Sequence, residues 1–296
     1  MLWIPITLAA AFLQNARSAL QKRLSADLST QGAAFSRFGF AAPAAILYAV
    51  LVLGAGGTSF AMPPAAFWPY AAVGGFLQIS ATVLLLASFR HGSFAVGTAF
   101  SKTESLQAAA FGLVVLGESV GLVGTLGLIV GFFGVLILAR GGSASGWGAP
   151  KGLALGTLSG TAFAIAAVCY RAAALSLPYG TVFERAAVLL AVVTTMQTVG
   201  MGIWLAWRQP GEVTRVVRAW RLTAPTALIG VAASACWFTA MTLQQVAYVR
   251  ALGQVELVFS TLVSILFFKE KITGREMTGI LLVGVSIVAV LIAAAR

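Results

Sequence analysis

Apolar runs long enough to cross a lipid bilayer follow one another along nearly the whole chain. Leu122–Ala139 and Ile280–Ala295 contain no charged side chain. An α-helix needs about 20 apolar residues to cross the roughly 30 Å hydrocarbon core of a bilayer. Of the 296 residues, 59% are hydrophobic and 9% are charged, whereas soluble domains carry about 25% charged residues. So little charge cannot cover a water-facing surface, which excludes an ordinary soluble enzyme. Disorder is excluded as well, because bulky apolar residues are plentiful. A transmembrane β-barrel alternates apolar and polar residues in segments of about 10, unlike these unbroken runs. The chain reads as an all-α polytopic membrane protein.

Loop signals divide it into ten predicted transmembrane helices: Leu2–Lys22, Thr30–Leu53, Phe67–Phe89, Ser93–Leu116, Val120–Ala139, Gly152–Leu177, Thr181–Trp207, Leu222–Gln245, Tyr248–Phe268 and Gly274–Ala295. Breaks fall at Gly54–Gly57, at Pro63-Pro64, in the linker 141–151 and at Gln209–Arg221. Residues 1–140 hold the first five spans and 152–296 the last five. No cleavable signal peptide is expected, since the N-terminal stretch has no charge and Pro5 interrupts it.

The formal net charge of +11 belongs to loops, so topology explains it and no nucleic-acid partner is expected. Lys22, Arg23, Arg90, Arg140, Lys151, Arg208, Arg215, Arg218, Arg221, Lys269, Lys271 and Arg275 fall in the odd-numbered loops; only Arg250 and Arg296 are assigned to the other side. Short cytoplasmic loops are enriched in Lys and Arg. This bias places the odd loops in the cytoplasm and both termini outside, in a bacterial-type inner (plasma) membrane. Cys169, Cys236 and His91 lack metal-ligand spacing, so no metal or cofactor is expected.

Sliding the chain against itself by 152 residues sets Glu104 on Glu256, Glu118 on Glu270 and Gly127 on Gly279. Nearby offsets align Phe35-Ser36-Arg37 with Phe183-Glu184-Arg185, and Pro69 and Gly74 with Pro225 and Gly230. Two halves with an odd number of helices insert in opposite senses, so the pattern is an inverted 5+5 repeat, a common transporter architecture.

These residues resemble the drug/metabolite transporter superfamily, in its ten-helix EamA-type branch. The resemblance rests on Arg37, Glu104, Gly117-Glu118 and Gly127/Gly131/Gly134 in the first half. In the second half it rests on Arg185, Glu256, Lys269-Glu270-Lys271 and Gly279/Gly284. Family members often have proline directly after the fourth-helix Glu, where this chain has Ser105 and Leu257. They are often drawn with cytoplasmic termini, opposite to the charge bias here. The resemblance implies a secondary transporter, with amino acids or related metabolites as cargo and export as direction.

Ionisable groups at membrane depth mark partners or wet cavities. Glu104 lies mid-span in the run Ser101-Lys102-Thr103-Glu104-Ser105-Leu106-Gln107. Helical spacing sets Ser101, Glu104, Ser105 and Ala108 on one face with Gln107 at its edge, while Lys102 needs a different partner. Glu104 is either protonatable or an amine ligand in a cavity wall, or a structural carboxylate clamping a neighbour. Glu256 shares a face with Ser260 and Ser264, with the same alternatives. Gln14 and Asn15 precede Arg17 and reach toward the same cavity. Arg17, Arg37, Arg171 and Arg185 stay charged and are read as snorkelling or helix-pinning ion pairs, Arg37–Glu104 and Arg185–Glu256 among them. Gln78, Ser80, Thr82, Thr194, Gln197, Thr239, Thr242 and Gln244 are further polar candidates. Trp237 is placed for stacking on a planar ligand or for packing. Trp3, Trp68, Trp147, Trp204, Trp207 and Trp220 sit near span ends, as an interfacial belt does. The glycine steps Gly152-Gly156-Gly160 and Gly127-Gly131 suit close helix packing.

No ATP-binding loop or hydrolase motif is present. The expected function is alternating-access transport of a small polar metabolite by a monomer in contact with membrane lipid, with a proton as possible coupling ion. A lipid-carrier flippase, a multidrug or organic-cation exporter and a non-transporting scaffold are the alternatives.

Overall fold

The structure, a computed structural model, describes residues 1–91, 94–141, 150–258 and 273–295, with the side chains of 94–96 and 139–141 excepted. Ser93, Trp147, Ser260, Ser264, Lys269, Glu270, Lys271, Arg296 and the end of the predicted ninth span lie outside the described residues.

All regular elements among the described residues are helices: α1 (Trp3–Leu24), α2 (Thr30–Phe35), α3 (Ala41–Gly56), α4 (Phe67–His91), α5 (Phe94–Ser101), α6 (Glu104–Leu116) and α7 (Gly121–Gly141). There follow α8 (Pro150–Ser176), α9 (Val182–Arg208), α10 (Glu212–Arg218), α11 (Trp220–Leu243), α12 (Val246–Gly253) and α13 (Gly274–Ala294). Six of them, α4, α7, α8, α9, α11 and α13, are long and apolar enough to cross a membrane. Large side chains such as Phe76, Val114 and Leu122 are exposed on the outside of the bundle, as lipid-facing positions are.

Local chemistry sets the ends. Thr181 and Glu184 close a capping box on α9, and Thr273 and Glu276 close another on α13. Gly117 ends α6 at φ 69°, and the N–H of Glu118 reaches back 3.2 Å to the Gly112 carbonyl. Glycine adopts this left-handed conformation without a Cβ penalty.

The predicted second and fourth spans are each split. Turn residues 36–40 separate α2 from α3, and Lys102-Thr103 separates α5 from α6. The helix α12 begins at Val246, two residues ahead of the predicted ninth span, and stops at Gly253 within it; helical backbone resumes at 255–258. The segment Gln209–Arg221, expected as loop, contains the short helix α10.

The four most extensive helix pairings are α4 with α8, α7 with α13, α1 with α11 and α3 with α9; α8 also packs on α5 and α6, α9 on α11 and α6 on α12. The leading four each join an element preceding the linker to one following it, so much of the core forms between the two parts of the chain. It is built on small residues. A Cβ on Gly134 would lie 3.0 Å from the Gly279 carbonyl, and one on Gly279 would lie 2.9 Å from the Gly134 carbonyl. Gly160 of α8 likewise leaves 2.7 Å to the Ser101 carbonyl at the α5–α6 break. Lipid gives no hydrophobic drive to helix association, so such close backbone approach supplies the packing. Trp3 belongs to this core, 5% exposed, which corrects its interfacial assignment: it lies on the α1 face turned inward.

Candidate functional site

The α5–α6 break needs no proline. Ser101 Oγ donates to the Thr98 carbonyl at 2.7 Å and Thr103 Oγ1 to the Phe100 carbonyl at 2.8 Å. Such local bonds compete with the helix ladder. The Thr103 N–H turns to Phe100 and the Ser105 N–H to Lys102, both three residues back. A comparable break stands at Gln254, whose N–H bonds the Ala251 carbonyl at 3.1 Å. The two breaks each fall two residues before a buried glutamate, Glu104 and Glu256.

The glutamates are paired crosswise. Lys102 Nζ binds the Glu256 carboxylate, and Arg250 Nη1 lies 3.6 Å from Glu104 Oε1. All four side chains are buried. Removing ions from water costs several kcal/mol each and is offset only by good pairing. The Arg250 guanidinium also stacks over the Trp237 ring at 4.5 Å. Trp237 Nε1 donates to Gln14 Oε1 at 3.0 Å, Gln14 Nε2 donates to Glu256 Oε2 at 3.5 Å, and Asn15 Nδ2 donates to the Glu256 carbonyl at 3.4 Å. Gln254 Nε2 donates to Ser105 Oγ at 2.7 Å, tying the two breaks together. A Cβ on Gly253 would meet the Trp237 ring at 2.5 Å, so glycine admits the indole against α12.

Gln14, Asn15, Arg17, Ser101, Lys102, Glu104, Arg250 and Glu256 line one polar cavity between α1, α5, α6 and α12. Around it the chain presents charged groups of both signs, amide donors and two interrupted helices. Interrupted helices at membrane depth are tolerated where they line a cavity or are buried in protein.

The model of the EamA-like transporter family matches the chain at residues 1–140 and again at 150–292. The chain belongs to that family. As an EamA-like transporter it is a multi-pass membrane protein whose relatives move solutes rather than transform them. The crystal structure of another protein superposes with a TM-score of 0.70 at 17% sequence identity, covering 99% of this chain and 97% of that one. That likeness concerns the fold alone. No curated protein matches the chain.

Within this EamA-like chain the expected partners of the glutamates change. Glu104 meets Arg250, not Arg37, and Glu256 meets Lys102, not Arg185. Arg185 sits in the first turn of α9, where its Nε donates to the carbonyls of Tyr179 and Gly180, both at 3.2 Å. Arg37 donates to Thr82 Oγ1 and Ser234 Oγ, each at 3.4 Å, and lies over the Phe38 ring. Arg17 and Arg37 are 4% and 5% exposed, so neither snorkels. Arg171 binds Glu118 at 2.7 Å and the carbonyls of Met241 and Gln244 at the end of α11.

Two further candidates stand apart from the cavity. Gln78 accepts from Tyr170 Oη at 3.0 Å and from Gln197 Nε2 at 2.8 Å in a network between α4, α8 and α9. Gln107 turns back to Thr103 Oγ1 at 2.9 Å. Arg250 and Lys102 are the cavity cations that the sequence reading does not single out: Arg250 counts there only as an outer-side cation, although it lies within the predicted span Tyr248–Phe268, one turn before Gln254.

Proposed function

We propose that this protein is a secondary transporter of small polar metabolites that works by alternating access around the Glu104–Glu256 cavity. The observation that carries the proposal is the pair of helix breaks, at Lys102-Thr103 and at Gln254, joined by crossed ion pairs. Discontinuous helices from two related repeats, meeting at one polar site, are how many secondary transporters build a substrate site. The proposal takes the chain as ten spans in an inverted 5+5 arrangement, with residues 1–140 and 152–296 as its halves. The crossed pairings of α1 with α11 and α4 with α8 support it, because exchanging the halves converts one pairing into the other. The cytoplasmic odd loops, the outer termini, the inner-membrane location and a monomeric unit are parts of the same proposal.

Amino acids or related compounds are the proposed cargo and export the proposed direction. A proton on Glu104 would release Arg250 from its pair and so couple protonation to the rearrangement of α12 against α6. Organic cations fit less well, because cations already outnumber carboxylates around the cavity. A sealed scaffold would have no use for a cavity at the meeting point of both breaks.

A second proposal, a lipid-carrier flippase, draws support from an apolar groove of about 690 Å³ between α4 and α9. Phe76, Ile79, Met196 and Trp204 line it, with Gln197 shared between this groove and a small cavity at Arg37.

Counterflow in proteoliposomes tests these proposals, with a labelled amino-acid mixture and with wild type beside Glu104→Gln. Exchange above empty liposomes, with loss of its pH dependence in the variant, is expected. Unchanged pH dependence in the variant contradicts proton coupling through Glu104. No amino-acid exchange alongside movement of a labelled polyprenyl phosphate favours the flippase.

A further inference from the structure

The cavity carries more positive than negative charge. Among the described residues, the buried ionised groups at or beside it are Arg17, Arg37, Lys102 and Arg250 against Glu104 and Glu256. Both carboxylates are taken, by Lys102 and Arg250. Arg17 lines the cavity with Nε and Nη1 buried and without a hydrogen-bond partner. Arg37 has neutral hydroxyls as its hydrogen-bond partners.

These two guanidiniums are neighbours. Their side chains pass over Gly230 of α11, where an added Cβ would sit 3.5 Å from both Arg17 Cδ and Arg37 Cγ. Guanidinium cannot shed its proton in a protein. Among the described residues Arg17 forms no direct ion pair; Glu256 acts on it from a distance and is itself held by Lys102, and a buried charge so weakly compensated is costly in a membrane protein. Arg17 therefore presents unpartnered N–H groups on Nε and Nη1 to the cavity, donors of the kind that bind carboxylate or phosphate oxygens.

We propose that the transported substrate is a net anion bearing a carboxylate or phosphate group, and that Arg17 is the residue that grips it. The proposal rests on the transport function above and narrows its cargo. A zwitterion or a cation would have to bring its ammonium to Glu104 or Glu256 and displace Lys102 or Arg250. A second anionic group compensates the excess charge without breaking either pair. Ser18 lines the cavity beside Arg17 and offers a neutral hydroxyl to the same oxyanion.

A free organic acid and a lipid phosphate headgroup carry the same oxyanion chemistry, and the test separates the two. The full chain in detergent is heated with L-glutamate, succinate, glycerol 3-phosphate or dihexanoyl phosphatidic acid, and with L-glutamine or L-lysine as neutral and cationic probes. Wild type, Arg17→Gln and Arg17→Lys are compared. The anions should raise the unfolding temperature, and glutamine and lysine should not. Arg17→Gln should bind the effective anion at least tenfold more weakly, with Arg17→Lys between it and wild type. Without ligand, Arg17→Gln should unfold no lower than wild type, because among the described residues Arg17 forms no direct ion pair and its Nε and Nη1 no hydrogen bond; a purely structural Arg17 predicts a lower unfolding temperature. A response to phosphatidic acid alone assigns the oxyanion to lipid, and a response to the soluble acids assigns it to a free metabolite.

Equal stabilisation by glutamine or lysine, an undiminished anion response in Arg17→Gln, or no response to any of the four anions overturns the proposal. Counterflow with the same probes separates it from its premise. Exchange of glutamine without exchange of any anion overturns the anionic cargo and leaves transport standing. Arg17-dependent anion binding without counterflow of any probe upholds the site and overturns transport.

Discussion

Lys102 and Glu256 form a buried ion pair across the two segments matched by the family model, each side chain standing beside the break in its own helix. Breaking one side of such a pair leaves an uncompensated charge in the bundle. Glu256→Gln alone is expected to lower stability by about 3–5 kcal/mol. Lys102→Met combined with Glu256→Gln should recover most of that loss. Denaturant unfolding in micelles, run as a double-mutant cycle, reads the coupling directly. Additive losses would mean that the two side chains do not act on each other.

The contact between α7 and α13 depends on glycine at one register and tolerates a side chain at another. A Cβ on Gly134 would press on the Gly279 carbonyl, while a Cβ on Gly284 meets nothing within 4 Å. Gly134→Ala should destabilise by about 1–3 kcal/mol through overpacking. Gly284→Ala should be neutral or mildly stabilising, by up to about 1 kcal/mol, from helix propensity. Thermal unfolding of the two variants checks the contrast.

Outside the spans, Glu212 of α10 clasps the turn before α2. Burial pushes its carboxyl up, but the Ser29 N–H at 2.6 Å and Arg215 Nη1 at 2.8 Å outweigh burial, and the net shift is downward. A carboxylate lowered on folding stabilises the fold fully above its unfolded value of 4.5 and loses that contribution as pH falls through the folded value. Glu212→Gln should cost about 1–2 kcal/mol near pH 7, and its difference from wild type should shrink below about pH 4. Unfolding temperatures measured between pH 3 and 7 test this, and a difference that stays constant with pH would remove Glu212 from the account.

Much of the membrane architecture was legible because lipid dictates long apolar runs, and Gln14, Asn15, Glu104 and Glu256, which line one cavity, stand out in the sequence as polar groups in apolar surroundings. The breaks were not, because no proline or glycine pair marks Lys102-Thr103. Three hydroxyls fold back on the chain there, at a point where Gly160 lets α8 come close to the Ser101 carbonyl. Arg250, near the start of the predicted ninth span, reads from the sequence only as an outer-side cation; the tertiary contacts with Glu104 and Trp237 explain a buried guanidinium there. The same tertiary origin hid the pairing of Lys102. Its position two residues from Glu104 shows that it points elsewhere but not to Glu256.

The most direct measurement is the water accessibility of the cavity. Ser101→Cys and, as a lipid-facing control, Phe133→Cys are made in a chain with Cys169 and Cys236 replaced, then treated with a membrane-impermeant thiol reagent in oriented vesicles. The account predicts that Cys at 101 is modified from at least one side of the membrane while Cys at 133 is not. A Cys at 101 as inert as the one at 133 would contradict a solvated path through the Glu104–Glu256 cavity.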